Sequence, residues 1–432
     1  SVDFADLILK VYELLSNHPQ ILQYYTKRFK HIMVDEFQDT NLLQFKLLKL
    51  LNNDTGSLYA VGDDDQSIYG WRGALSKNIK SFTDQFINVE IFKLEQNYRS
   101  TNKILKVANS LISHNKNRLG KELWTSSERG EPVKIYEAYN NDDESSFIVD
   151  KIQMLEREGY RKSEIAILYR NNFLSRRLEE ELNGRGVPYI IFGGFRFFER
   201  SEIKDMIAYL RVIVNPDDDA AFERSINNPP RGIGQKTIDV IRKFAKANNL
   251  SLWKTIKSFQ TENTNDISSR VKTSLSNFIS LIEAFSSEMN DLSLKEILVK
   301  IYNESKLKTY FSEQKGEEAM SKQENIDELF LTAENFMKNN YDSENLVDDF
   351  LDNAALEAGD YQSKFDNDPV QLMTIHSAKG LEFPVVFLTG LEEGIFPNEN
   401  RKSGDDFLEE ERRLCYVAIT RAMQSLFITF AN

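Results

Sequence analysis

The 432 residues suggest about three domains or sub-domains at roughly 150 residues each, and 41% hydrophobic with 28% charged residues is the balance of an ordinary soluble globular protein. The single cysteine, Cys415, excludes a disulfide framework and a cysteine-based zinc site and fits a reducing compartment. A net charge of −13 argues against a surface that coats nucleic acid all over. No apolar run nears the roughly 18 residues that span a bilayer and no leader pattern opens the chain, so the expectation is a cytoplasmic protein with no membrane partner.

From the N-terminus to about residue 195, short β-rich runs alternate with amphipathic stretches. His31–Val34, Ser57–Val61, Val89–Phe92, Val133–Tyr136, Ile165–Tyr169 and Tyr189–Phe192 read as strands, with Leu42–Leu51 and Lys103–Ile112 as helices between them. That alternation predicts parallel βα units. From about 200 to 365 strand signals nearly vanish, and Glu202–Val214, Thr237–Ala247, Val271–Phe285 and Ile326–Met337 carry helical periodicity. The βα pattern returns near 370, with strands at Val370–Met373, Val385–Leu388 and Leu426–Phe430 and a helix over Phe407–Met423. An all-helical block interrupting an α/β domain is the economical arrangement.

Charge is uneven along the chain. Arg224–Lys257 holds eight basic residues against Asp239 alone, whereas residues 317–368 hold fifteen acidic residues against three lysines. The basic stretch is the candidate for phosphate contact; the acidic one is a solvated helical surface.

The string Asp35-Glu36-Phe37-Gln38-Asp39-Thr40 follows a β-rich run, which puts adjacent acids at the carboxyl end of a strand, where open α/β sheets bind ligands. In a nucleotide hydrolase the first acid can hold Mg²⁺ and the second can polarise the attacking water. The same acids could equally be a helix N-terminal cluster, with Asp39 and Thr40 capping the helix that follows. Gly62-Asp63-Asp64-Asp65-Gln66-Ser67-Ile68-Tyr69-Gly70-Trp71-Arg72-Gly73 follows a second strand. Its Tyr69, Trp71 and Arg72 offer stacking faces and a cation, which suits single-stranded nucleic acid.

With these two strings in this order, the chain resembles the superfamily 1 DNA helicases of the UvrD/Rep/PcrA type. Asn97-Tyr98-Arg99-Ser100, Thr374-Ile375-His376-Ser377-Ala378-Lys379-Gly380-Leu381-Glu382-Phe383 and Glu410 through Ala422 resemble that family's later motifs, and Asp3-Phe4-Ala5-Asp6-Leu7 an early one. The resemblance implies an α/β fold of RecA-like P-loop NTPase motor domains with an all-helical insert. Residues 1–93 would be the tail of the first motor domain (1A), 94–198 and 367–432 the second (2A), and 199–366 the insert (2B).

It further implies ATP and Mg²⁺ as cofactors. Asp35 would hold the metal and Glu36 would act on water beside Gln66. Arg99 and Arg421 would clamp the γ-phosphate, Tyr98 would pack near adenine, and Gly380 and Glu382 would lie at the nucleotide, the glutamate on its ribose. Tyr69, Trp71, Arg72, Thr374 and His376 would contact single-stranded DNA. In the basic stretch, Arg231-Gly232-Ile233-Gly234-Gln235-Lys236-Thr237 resembles a helix-hairpin-helix turn. There Arg231, Gly232, Gly234, Lys236 and Thr237 would hold duplex backbone; a plain glycine-containing turn with exposed lysines is the alternative.

Gly193-Gly194 lacks the lysine–hydroxyl pair of a phosphate loop and reads as a strand-to-helix junction. His376 has no histidine or cysteine at ligand spacing, which argues against zinc. A Gly-x-x-x-x-Gly-Lys-[Ser/Thr] string is absent; Gly120-Lys121 is followed by Glu122. The expectation is therefore part of an ATP-dependent 3′-to-5′ helicase of DNA repair or replication, acting at single-strand/duplex junctions with partners from those processes. The 432 residues alone would hydrolyse ATP poorly, and their apolar strand faces over 1–93 would be partly bare. The alternative is a non-catalytic DNA- or protein-binding module that keeps the helicase shape.

Overall fold

A computed structural model describes residues 3–52, 56–70, 73–74, 82–86, 88–116, 118–127, 130–261, 267–314, 317–343, 345–359, 368–398 and 405–432. Two compact units divide the chain: residues 1–170 with 370–432, and residues 171–369. Among the described residues the strands are β1 (His31–Val34), β2 (Ser57–Ala60), β3 (Lys134–Ala138), β4 (Ile165–Tyr169), β5 (Tyr189–Ile191), β6 (Val370–Thr374), β7 (Phe383–Leu388) and β8 (Ala422–Ala431).

In the first unit β1 pairs with β2 in parallel, His31 opposite Ser57 and Val34 opposite Ala60. A larger sheet holds β3, β8, β7, β4 and β6 as successive parallel neighbours. Every residue of β4 is buried, as expected where helices cover both faces of a parallel sheet. The helix Asn102–Ile112 turns Ile104, Ala108 and Ile112 onto that sheet, and Asp405–Ile419 adds Leu414, Val417 and Ala418 to the same core. Full burial of Ile104, Ile112, Leu414 and Val417 contributes about 1.5–3 kcal/mol each, and of the two alanines less. Ile68, from the aspartate-rich string, lies in this core too, so the loop after β2 is fixed against the large sheet.

Three local expectations change. Val89–Phe92 has no regular structure and belongs to no ladder among the described residues, and Ile91 and Phe92 stand exposed. A strand is stabilised by its neighbour's hydrogen bonds, which β-propensity alone does not supply. The cap of the helix Leu42–Leu51 is neither Asp39 nor Thr40 but Asn41, whose side chain accepts from Gln44 N while Gln44 Oε1 accepts from Asn41 N. The last helix ends at Ile419 instead of Met423, because Arg421 O accepts from Phe383 N and the chain enters β8 at Ala422.

The second unit contains β5 and, from Ser201 to Gly359, only helices among its described regular elements. Its core gathers Tyr209, Phe222, Trp253 and Phe278, whose rings meet edge to face. Among the described residues no helix is long and apolar enough to cross a membrane.

Candidate functional site

The carboxyl ends of β1 and β2 carry the two acidic strings side by side. Asp35 is exposed, and its Oδ1 accepts from Glu36 N at 2.8 Å. Glu36 adopts a left-handed backbone, φ 51°, uncommon for a residue with a Cβ. That turn directs its carboxylate back onto Gln38, whose Nε2 donates to Glu36 Oε2. Gln38 is wholly buried, and its Oε1 accepts from Asp63 N at 2.9 Å, so one side chain bonds both strings. Gly62 makes room for it: a Cβ there would stand 2.7 Å from Gln38 Oε1.

The three aspartates of the second string serve chiefly one another and nearby cations. Asp63 accepts from Asp65 N at 3.0 Å and Gln66 Nε2 at 2.7 Å, and pairs with Lys121. Asp65 is buried in a two-pronged pair with Arg118 at 2.7 and 2.6 Å. Asp64 accepts from Leu119 N at 2.7 Å, and burial raises its carboxyl above the ordinary range. Arg118 and Lys121 thus hold the loop's shape, a role with no separate signal in the sequence.

Arg421 is the most unusual group. It is 2% exposed, and its guanidinium donates only to neutral acceptors: Val417 O at 3.1 Å, Leu381 O at 3.1 Å, Thr420 Oγ1 at 3.2 Å and Gln66 Oε1 at 3.5 Å. Among the described residues no carboxylate lies within ion-pair distance of it. Burial, and then the charge of Arg99, push it down to about 10. Arg99 itself pairs with Glu382 at 2.5 Å. A dry, unneutralised guanidinium beside a second one favours an incoming anion. Tyr98, next in the chain, is 84% exposed and offers an open aromatic face.

The loop after β6 closes the other side. Lys379 donates to Asp39 Oδ2 at 2.5 Å and to Gln66 O at 3.0 Å, lies 3.5 Å from Glu36 Oε2, and sits 5.2 Å from the centre of the Tyr69 ring. Burial nevertheless raises the Asp39 carboxyl. Tyr69 donates its hydroxyl to His376 O at 3.4 Å. Thr374 Oγ1 lies 3.0 Å from Ser377 Oγ, and Gly380, at φ 85°, turns the chain toward Glu382. Trp71 and Arg72 lie outside the described residues. The expected Asp35, Glu36, Gln66, Arg99, Arg421, Tyr69, Thr374, His376, Gly380 and Glu382 all belong to this unit. One chain of contacts runs Glu36–Gln38–Asp63–Gln66–Arg421.

In the second unit Gly232 (φ 75°) and Gly234 precede the helix Gln235–Asn248, with Gly234 as its N-cap. Both glycines and Lys236 are exposed, and Thr237 is half-buried. Arg231 turns inward, away from the surface position its motif suggested. Its guanidinium donates to Ser225 O, Ile226 O, Pro229 O, Ser305 O and Tyr209 Oη and lies against the Tyr209 and Phe278 rings. Five acceptors and two aromatic faces fix the turn from within.

Sequence reasoning gave no role to Gln38 or Lys379, although both stood inside the quoted strings. A glutamine two residues past a strand's acid pair, and a lysine in a polar loop, are signals too generic to reveal partners 25 and 340 positions away.

These features define a mixed α/β protein with parallel sheets, whose strand ends gather a carboxylate pair and two arginines, an arrangement consistent with a RecA-like fold. The UvrD/REP helicase N-terminal domain profile matches residues 1–87 and the UvrD-like helicase C-terminal domain profile matches residues 92–432. The chain belongs to the UvrD-like helicase family. DNA helicase II of Escherichia coli (strain K12) is 48% identical over 432 residues, which are 100% of this chain and 60% of that protein. ATP-dependent DNA helicase PcrA of Bacillus subtilis (strain 168) is 42% identical over 439 residues, covering 100% of this chain and 59% of that protein. The chain thus spans about 60% of the length of the curated relatives it matches.

Proposed function

We propose that this chain supplies most of the motor of an ATP-dependent DNA helicase that couples hydrolysis to 3′-to-5′ movement along a single strand and to duplex opening in DNA repair or replication. The observation that carries the reading is Arg421, buried with no carboxylate in ion-pair distance among the described residues and tied through Gln66 to the string that holds Glu36. A triphosphate neutralises such a guanidinium, and a positioned cation stabilises charge that grows on the transferred phosphoryl group.

The exposed Asp35 carboxylate is a hard oxygen donor suited to Mg²⁺, which would supply charge neutralisation at the phosphates. Glu36 accepts a proton from, and orients, the attacking water; Arg99 and Arg421 hold the γ-phosphate; Tyr98 stacks on the base; Gly380 shapes the loop that places Glu382 at the ribose. Tyr69, Trp71, Arg72, Thr374 and His376 form the single-strand track. Gly232, Gly234, Lys236 and Thr237 receive duplex backbone in the helical insert, with Arg231 bracing their turn. The phosphate-binding lysine and hydroxyl are not among these 432 residues, so this polypeptide alone turns over ATP poorly.

In the full-length protein, Glu36→Gln is expected to abolish ATP turnover while leaving nucleotide affinity within a few-fold, measured by phosphate release and equilibrium binding. Loss of binding instead would make Glu36 a structural residue. Unchanged turnover would favour a non-catalytic module.

A further inference from the structure

We infer that Gln38 is a positioning residue that sets the direction of the Glu36 carboxylate and transmits the state of the Arg421 end of the site to it. The inference rests on the hydrolytic reading above and adds a residue to it. Gln38 has no exposure to solvent, and both ends of its amide are engaged. The nitrogen donates to Glu36 Oε2, and the oxygen accepts from Asp63 N at 2.9 Å. Its backbone is tied as well, since Gln38 O accepts from Ser67 Oγ at 3.4 Å. A fully engaged amide has one orientation, because flipping it would set like against like at both ends.

The partners extend the argument. Asp63 Oδ2 accepts from Gln66 Nε2 at 2.7 Å, and Gln66 Oε1 faces Arg421 Nη2 at 3.5 Å. Gln38 is therefore the member of that chain of contacts that joins Glu36 to the backbone of the second string, beside Lys379, which lies 3.5 Å from Glu36 Oε2 and donates to Gln66 O at 3.0 Å. Close packing supports the same role: the Gly62 backbone approaches so near that a Cβ would stand 2.7 Å from Gln38 Oε1. Glu36 itself sits in a left-handed turn, so its carboxylate direction is set by this contact as well as by its own rotamer. A general base must lie within hydrogen-bond reach of the proton it takes, and small misplacement lowers kcat with little effect on substrate binding.

The test uses the full-length protein. Gln38→Leu removes both bonds at similar size; Gln38→Glu keeps an acceptor for Asp63 N but removes the donor to Glu36. Both variants are expected to lose about 10²-fold in kcat for ATP, with KM within a few-fold. Amide exchange at Asp63, measured without nucleotide, should quicken about tenfold in Gln38→Leu and stay slow in Gln38→Glu. Adding either change to Glu36→Ala should cost almost nothing further, because a residue that acts through Glu36 has no effect once it is gone. Additive losses in that double variant, or unchanged kcat in both single variants, overturn the proposal. So does unchanged Asp63 exchange in Gln38→Leu. If Gln38→Leu does not fold, Gln38→Glu and its pairing with Glu36→Ala decide. Full turnover in Glu36→Ala alone would instead remove the hydrolytic reading, and the Asp63 exchange would still report on Gln38.

Discussion

Two buried arginines, one in each unit, show how differently a protein can treat the same side chain. Arg176 in the second unit is 1% exposed, pairs with Glu180 at 2.6 Å and with Glu357, and lies over the Phe197 and Phe198 rings. Burial alone would lower its pKa, but the charges of Glu357 and Glu180 more than offset this and leave it raised. Arg421 is equally dry, yet donates only to neutral groups, and its pKa falls. The Arg176 guanidinium is neutralised by its own carboxylates, whereas that of Arg421, like that of Arg231, meets only neutral acceptors among the described residues. Around Arg176 the second unit repeats the first pattern: Arg200 donates to Asn325 Oδ1 at 2.7 Å and Ser175 Oγ at 2.7 Å and pairs with Glu179 at 3.4 Å.

The sharpest way to break this contrast is to truncate both arginines in the full-length protein. Arg421→Ala should lower ATP turnover about 10³-fold while leaving the melting temperature unchanged or slightly raised, since an uncompensated buried charge is removed. A large fall in melting temperature with unaltered kcat would place Arg421 with the structural group. Arg176→Ala should do the reverse, destabilising the second unit by about 3–5 kcal/mol in denaturant titration, because it breaks a buried guanidinium's pairing with Glu357 and Glu180. A loss under 1 kcal/mol would show that solvent reaches this pair.

A third test exploits pH. Burial raises the Glu328 carboxyl to about 7, against the opposing charge of Arg177. Its folded pKa exceeds its unfolded one, so the folded state holds the proton longer. Stability is unaffected below the unfolded value and falls as pH rises from about 4.5 toward 7. Glu328→Gln should therefore stabilise the protein by on the order of 2 kcal/mol at pH 8 and by much less at pH 5. Equal effects at both pH values would mean that the carboxylate is already ionised in the fold. The smallest effect is expected at Tyr98: with its ring open to solvent, Tyr98→Ala should raise KM for ATP by roughly fivefold, about 1 kcal/mol of stacking, with no change in melting temperature. Unaltered KM would remove Tyr98 from the nucleotide site.

The first-unit strands were legible because β-branched and aromatic runs of four to six residues recur between amphipathic stretches, and the acids of Asp35-Glu36 follow one of them directly. The helical block was legible from periodicity alone. Lost to sequence reasoning were features that depend on where distant segments meet. Val89–Phe92 has strand chemistry but no ladder among the described residues, while Arg231 looked like a surface cation and proved to brace its turn from within.

The order of strings along the chain determined the family and the parallel α/β character, since each string lies next to the strand or turn that presents it. Tertiary structure alone decided which charges are spent. Asp65 is consumed by Arg118, Asp39 by Lys379 and Arg176 by Glu357, whereas Arg421 has no carboxylate within ion-pair distance among the described residues. Partnership of a charge depends on the few ångströms around it, and those neighbours come from segments tens to hundreds of residues apart, which no local pattern encodes.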